Sequence, residues 1–347
     1  MTEVPERTGI AAGGNWIVDI VKDVDHLPGR GMLGSIVSQS SSTGGAAANV
    51  LLDLARMEAG FPLVGLGVVG RDEDGRFVLD RARRAGVDAS LVAQTGEAGT
   101  SYTDVMNEVG TGERQFFHYR GANARFGPEH VPVESLRCRI FHLGYLLLLD
   151  RMDGPDEEHG TVAARLLRDL RAAGVRTSVD VVSEESDRFT TIVPPALRHT
   201  DYLILNEIEA ARTVGGSARA TDGTLDPDAL IDAVDRLAEL GEMELIVVHM
   251  PEGFYARDRR GDRYSRGSLE LPDGFVKASV GAGDAFCAGV LHGLHEGRGP
   301  ADAAWLGTCA AAACLSANNA SDGLRPIKDC LALGDEYPER PAPVSVP

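Results

Sequence analysis

Positive charge is scarce in this 347-residue chain: 34 lysines and arginines stand against 52 acids, leaving a net charge of −18. A nucleic acid or an anionic membrane surface needs a basic face, so both are excluded as main partners. Aromatic residues make up only 5% of the chain, little material for a base-stacking pocket, which disfavours a nucleoside ligand. The five cysteines (Cys138, Cys287, Cys309, Cys314 and Cys330) are odd in number and contain no CxxC pair. They read as buried, reduced thiols of a cytoplasmic protein rather than a disulfide framework or a zinc site. No charged-then-apolar leader opens the sequence, and the longest apolar run, "AAWLGTCAAAACLSA", is too short and too rich in alanine to span a bilayer. Repeats of fixed period and low-complexity linkers are also missing.

What is present is an alternation of strand-like and helix-like stretches. "NWIVDIV" reads as a first strand, "AAANVLLDLARMEAG" as a helix, "PLVGLGVVG" as a short apolar strand and "DGRFVLDRARRAG" as a helix closed by Gly86. The rhythm continues with "RIFHLG", a helix from Glu157 to Ala173, "RTSVDVV", "DYLILN" and "LIVVHM", and with two final helices beginning near Gly283 and Pro300. Such alternation predicts an α/β protein with a mostly parallel central sheet covered by helices on both faces, its ligands bound beyond the carboxyl ends of the strands. Two segments break the rhythm: Pro28 to Thr43, and Thr100 to Phe117, the latter a hairpin around a Gly-Thr-Gly turn. Together they predict a small antiparallel sheet serving as a lid or an oligomer contact. The proline-rich "PERPAPVSVP" reads as a frayed tail.

The most informative stretch is "SVGAGDAFCAG", Ser279 to Gly289. Glycines feeding a helix create an anion site from backbone amides. No lysine follows as in a P-loop. The lone acid, Asp284, would instead take the proton of a hydroxyl that attacks a phosphoryl group held by those amides. Phosphoryl transfer asks the protein mainly to position its partners and neutralise charge, so one such acid is enough.

Here the chain resembles the ribokinase-like (PfkB) carbohydrate kinase family, over roughly residues 10 to 330. "GAGDAFCAGVL" is similar to the family's carboxyl-terminal signature, which implies Asp284 as catalytic base and the backbone of Gly281, Ala282 and Gly283 as anion hole. "TGGAAANVLLDLARMEAG" and "GVVGRDEDG" resemble its amino-terminal signature. "NEIEA" matches an Asn-x-x-Glu element that implies ATP and, indirectly, Mg²⁺ placement by Asn206 and Glu209. "GNWIVD" puts Asp19 where the family uses an acid on sugar hydroxyls, and "FFHYRGANA" resembles the stretch after its lid hairpin. The resemblance implies substrate binding by Asp19, Gly44, Gly45, Asn49 and Asn123, and ATP contact by Gly253. The residue types agree: Gly44 and Gly45 allow close backbone approach, and Asn49 offers donors and an acceptor to a sugar hydroxyl.

The implied fold is a ribokinase-like three-layer sandwich spanning residues 8–332, with lid segments at about 20–43 and 98–120 and a tail at 333–347. The implied activity is transfer of the ATP γ-phosphoryl to a hydroxyl of a monosaccharide or related polyol, by a cytoplasmic homodimer joined through the lid. Sugar-phosphate and nucleoside kinases remain alternatives within the family, the former because Arg114, Arg120 and Arg125 cluster near the lid. Outside it, "GLGVVG" matches GxGxxG and suggests an NAD-dependent oxidoreductase, although its glycines fall inside a strand-like run and "RDED" follows at once. "HGLH" has helical spacing without a third zinc ligand. His118 and His142 lie in segments that border the expected pocket.

Two departures from the family pattern matter. Ala278 occupies a position, three residues before Gly281, where many members carry an acid that supports a monovalent cation. The expected Thr-x-Gly-x-x-Gly turn is replaced by "HMPEGF", where Pro251 removes an amide.

Overall fold

The structure is a computed structural model that describes residues 7–111 and 113–346. In chain order its strands are β1 (Ile10–Gly14), β2 (Ile17–Val24), β3 (Ile36–Gly44), β4 (Leu63–Gly70), β5 (Asp88–Thr95), β6 (Ser101–Glu108), β7 (Arg114–Tyr119), β8 (Ile140–Leu146), β9 (Pro155–Asp156), β10 (Gly160–Thr161), β11 (Arg176–Val181), β12 (Tyr202–Asn206), β13 (Leu245–Met250), β14 (Gly253–Asp258) and β15 (Arg263–Gly267). The helices are α1 (Ala46–Arg56), α2 (Glu73–Arg84), α3 (Val162–Ala172), α4 (Phe189–Leu197), α5 (Glu207–Thr213), α6 (Pro227–Glu239), α7 (Ala282–His295), α8 (Pro300–Cys314) and α9 (Ile327–Glu336).

The main sheet has nine strands in the order β15-β14-β13-β12-β11-β8-β1-β4-β5. It is parallel from β13 to β5, with an antiparallel β13–β14–β15 edge. Continuous apolar strands such as "LIVVHM" need cover on both faces. Leu51, Leu54, Val290 and Leu306 bury one face, and Leu166, Leu170, Val193 and Leu237 bury the other. The three-layer architecture expected from the alternation therefore forms. Strand order reverses beside β1, whose neighbours are β4 and β8. At such a switch point the carboxyl ends of the strands open a crevice.

A second sheet, in the order β3-β2-β6-β7, stands over that crevice. Two antiparallel pairs, β2–β3 and β6–β7, are joined by a parallel β2–β6 pairing. "NWIVDIV" belongs here and not to the core: the first core strand is Ile10–Gly14, and Ile17–Val24 is a lid strand. Asp19, Lys22 and Asp23 interrupt its apolar residues, and Asp19 to Asp23 are all partly exposed, as in a strand with solvent on one side. The lid thus starts at Ile17, three residues before the expected position. The helix expected from Glu157 begins only at Val162, because Pro155–Asp156 and Gly160–Thr161 pair as a small hairpin and Thr161 Oγ1 caps the helix by accepting from Ala164 N at 3.2 Å. A ninth helix, α9, crosses the boundary drawn at 332/333. Beyond it the chain is pinned rather than frayed: Arg340 N donates to Ser268 O at 2.8 Å, Glu339 pairs with Arg266, and Val344 is buried.

Candidate active site

α7 starts on Gly281, whose φ of 79° lies in the left-handed region and whose Cβ, if present, would stand 2.4 Å from Ala320 Cβ. Only glycine fits this turn. The amides of Gly283 and Asp284 then fall in the first turn, where no intrahelical acceptor exists. Asp284 is buried between them and the lid, 5% exposed. Its Oδ2 accepts from Asn49 Nδ2 at 2.7 Å, and the Tyr145 hydroxyl donates at 3.1 Å to Oδ1. Burial, with the Asp180 carboxylate beside it, pushes the Asp284 carboxyl up to about 6 against the pull of those two donors.

Two cavities meet at this helix start. The larger, about 990 Å³, runs beneath the lid and is bounded by Asp19, Asn49, Tyr145, Asp180, Glu209 and Asp284. The smaller, about 520 Å³, lies on the other side of Gly283 between α7, α8 and the β13–β14 turn, with apolar walls from Leu269, Phe286, Ala311 and Leu315. A volume of several hundred Å³ with few polar groups is typical of a small-molecule site.

The expected site residues distribute over both cavities. Gly281, Gly283, Asp284, Asp19, Gly45, Asn49, Asn206 and Glu209 line the larger; Ala282 and Gly253 line the smaller, which Asn206 and Gly283 also reach. Gly44 lies under Asp19, whose Oδ2 stands 2.2 Å from where a Cβ would be. Gly44 itself lines neither cavity, and neither does Asn123. It is fully buried, its amide donating to Asn15 Oδ1 at 3.2 Å and accepting from Trp16 N at 3.2 Å, so it ties the lid stem to the core and borders neither cavity. The arginines also separate: Arg125 pairs with Glu97 away from the cavity, while Arg114 and Arg120 both line it, Arg120 paired with Asp150 and Glu184 and Arg114 with its Nε 3.4 Å from Asn107 Oδ1.

Asn206 and Glu209 form a reciprocal cap on α5. Glu209 N donates to Asn206 Oδ1 at 2.9 Å and Asn206 N to Glu209 Oε2 at 3.0 Å. Ser183 Oγ donates to the other Glu209 oxygen at 2.7 Å. Burial, with Asp180 and Glu207 nearby, pushes Glu209 up to about 8. Asp19 is likewise pushed up to about 7 by burial and by Asp284. Three carboxyl groups with raised values around one cavity suit a cation there, since each would ionise more readily beside it. Among the described residues no cluster of three or more His, Cys, Asp or Glu side chains has direct metal-binding geometry. Asp19, Glu209 and Asp284 present the oxygen donors that a hydrated ion accepts through its waters.

Sequence reasoning missed Tyr145, Asp180 and Thr103. No local sequence pattern marks Tyr145, whose φ of 57° is left-handed, a conformation rare outside glycine; Asp180 is the penultimate residue of β11 and buried. The decoys are also explained. Gly65 and Gly67 of "GLGVVG" lie inside β4 beneath Trp16, whose ring would stand 2.4 and 2.2 Å from added Cβ atoms. These glycines make room for an indole, not a pyrophosphate. His292 and His295 pack on Phe61 with ring centroids at 5.4 and 3.8 Å, and His142 is a core residue bonded to Ser178.

An open α/β sheet with a β lid and paired cavities at its switch point defines a ribokinase-like protein. Arabidopsis thaliana ribokinase, determined with ribose and ATP, superimposes with a TM-score of 0.75 at 21% identity, covering 94% of this chain and 98% of the other. Giardia lamblia ribokinase gives 0.78 at 19% identity, covering 95% and 99%. The sequence profile of the pfkB family carbohydrate kinases matches residues 7–327. The chain belongs to that family and is a sugar kinase, a phosphotransferase with an alcohol acceptor; the oxidoreductase reading has no support. Among curated relatives, an ATP-dependent ribose-1-phosphate kinase of Halopiger xanaduensis is 29% identical over 80% of this chain and 81% of its own. A 2-dehydro-3-deoxygluconokinase of Bacillus subtilis is 25% identical over 87% and 89%.

Proposed function

We propose that the protein transfers the γ-phosphoryl group of ATP to a sugar hydroxyl, with Asp284 taking the hydroxyl proton. The carrying observation is the placement of Asp284: one carboxyl, raised to about 6 and held by Asn49 and Tyr145, at the helix start where the two cavities meet. In this reading the larger cavity holds the acceptor, with Asp19, Gly44, Gly45 and Asn49 around its hydroxyls. The smaller holds the nucleotide against Phe286 and Leu315, with Gly253 at its turn. Amides of Ala282, Gly283 and Asp284 face the migrating phosphoryl group, and Gly281 shapes them. Asn206 and Glu209 would hold Mg²⁺ through its waters, and the ion would supply neutralisation of phosphate charge. Asp284 needs only to orient the hydroxyl and accept its proton as the oxygen attacks, help typically amounting to ~10²–10⁴ in rate.

The acceptor is a polyhydroxy compound. Names of relatives point to sugar phosphates and keto-deoxy sugar acids as well as to ribose, and two guanidinium groups stand in the wall for an anionic end, Arg114 and the ion-paired Arg120. Ile36, Val37, Phe117 and Tyr119 are exposed on the lid, which suits a homodimer formed there. Five buried free thiols and use of ATP suit the cytoplasm. A coupled ADP-release screen over free sugars, sugar phosphates, keto-deoxy acids and nucleosides tests the reading, with Asp284→Asn as control. Sugar-dependent ADP release abolished by that substitution supports it; turnover that survives the substitution sinks it.

A further inference from the structure

The tail after α9 lies beyond the residues that match the family profile, 7–327, and it pairs with the chain just after β15. Leu269 and Glu339 form an antiparallel bridge, Arg340 N donates to Ser268 O at 2.8 Å, and Glu270 N donates to Pro338 O at 2.8 Å. Glu339 accepts from Gly267 N at 3.0 Å and pairs with Arg266, whose guanidinium lies 3.5 Å from the centroid of the Trp305 ring. Gly267 has to be glycine here, since an added Cβ would overlap the Arg340 carbonyl oxygen. Ser268 is held in turn to the β13–β14 turn, its N donating to Glu252 O at 2.9 Å and its Oγ to Pro251 O at 2.7 Å. Arg340 therefore stands beside the carboxyl end of β13, where His249 pairs in register with Asn206 of β12. Arg340, His249 and Asn206 all line the smaller cavity.

Among the described residues lining that cavity, the acid is Glu207 and the cation is Arg340, while burial pushes His249 down to about 4 and leaves it neutral at pH 7. Glu207 accepts from Arg219 Nε at 2.6 Å. The acid that faces Arg340 from the turn is Glu252, and Arg219 takes both of its oxygens at 3.0 and 2.9 Å. The Arg340 guanidinium is exposed and has no hydrogen bond or ion pair with any described residue. A chain of net charge −18 repels a polyanion unless cations are placed for it. The apolar walls of the cavity suit a base, whereas a guanidinium fork suits phosphate oxygens.

We propose that Arg340 binds the phosphate chain of the nucleotide, so that the tail, laid against residues 268–270, brings the smaller cavity its positive charge. This rests on the sugar-kinase reading, in which that cavity holds ATP. The anion hole at Gly283 and the guanidinium at Arg340 then approach the phosphates from different elements, one from the start of α7 and one from the tail.

Nucleotide binding without any acceptor tests this in the full chain. Affinities for ATP and adenosine are read by competition against a fluorescent ATP analogue. Arg340→Ala should weaken ATP ~10-fold and leave adenosine within about twofold. Arg340→Lys should recover part of the loss, since the charge stays and the fork goes. Added KCl should weaken ATP binding more steeply in the unsubstituted protein than in Arg340→Ala. Unchanged ATP affinity in Arg340→Ala overturns the proposal. So does an equal loss for adenosine, which would mean that the tail only shapes the cavity. The kinase reading fails separately, if ATP binds but no sugar in the ADP-release screen is phosphorylated.

Discussion

Asn49 Nδ2 lies 2.7 Å from Asp284 Oδ2, joining residues 235 positions apart in sequence. One sits in the first turn of α1, the other in the first turn of α7, and both helices begin on a glycine with positive φ, Gly45 at 91° and Gly281 at 79°. The bond favours the charged form of Asp284, while the Asn49 Oδ1 atom has no protein partner. Asn49 is thus built to hold the base with its amino group and to receive a hydroxyl with its carbonyl. Replacing it with leucine should raise the Asp284 carboxyl further above 6, move the acidic limb of kcat upward and reduce activity at pH 7 by ~10-fold or more. A pH–rate profile checks this; an unshifted limb counts against it.

Gly44 is held to its identity by Asp19. An added methyl would stand 2.2 Å from Asp19 Oδ2, so Gly44→Ala must turn that carboxylate away. The expected result is a rise in acceptor KM of ~10-fold or more with nucleotide binding unchanged, since Gly44 borders no part of the smaller cavity. Equal weakening of nucleotide and acceptor, measured by calorimetry and kinetics, would instead mean a general loss of fold.

Much of this was legible in the chain itself. Apolar strands alternating with capped helices fix the three-layer core, and Gly281 to Asp284 announce a helix start with an acid beside it. What escaped was decided by tertiary placement. "NWIVDIV" has the composition of a core strand, yet from Ile17 it runs in a lid strand. Asn123 looks like a ligand amide in sequence, but its atoms are consumed by Asn15 and Trp16. Asn206 and Glu209 share spacing with a helix cap because they are one, and no local pattern separates that from a role near phosphate. Tyr145 and Asp180 come from strand ends whose convergence only the sheet order creates.

Potassium should matter little. Ala278 is apolar and 6% exposed, so the loop before α7 brings no carboxylate to a monovalent ion at that position. Two carbonyls nearby, Val280 O and Ala320 O, face the Cys314 thiol at 3.6 and 3.1 Å. Exchanging potassium for choline at equal ionic strength should leave kcat/KM within about threefold. A tenfold or larger activation, equivalent to about 1.4 kcal/mol, overturns this.

Asp284 should carry a stability cost along with its catalytic role. Its carboxyl sits at about 6 in the folded protein, above an unfolded value of about 3.9. The folded state therefore binds the proton more tightly, and that advantage is complete below pH 4 and lost as pH rises through 6. Relative to acid, the ionised group costs the fold about 3 kcal/mol at pH 7 and above. Asp284→Asn removes the cost while keeping an acceptor for Tyr145. Its Tm should exceed that of the unsubstituted protein at pH 7–8, and the difference should shrink toward zero as the pH approaches 4. Over the same range kcat should fall by ~10²–10⁴ with ATP binding retained. Calorimetric scans across this range, paired with turnover, test both halves together. A variant less stable than its parent at pH 8 would show that Asp284 is a structural group, and the catalytic assignment would lose its physical basis.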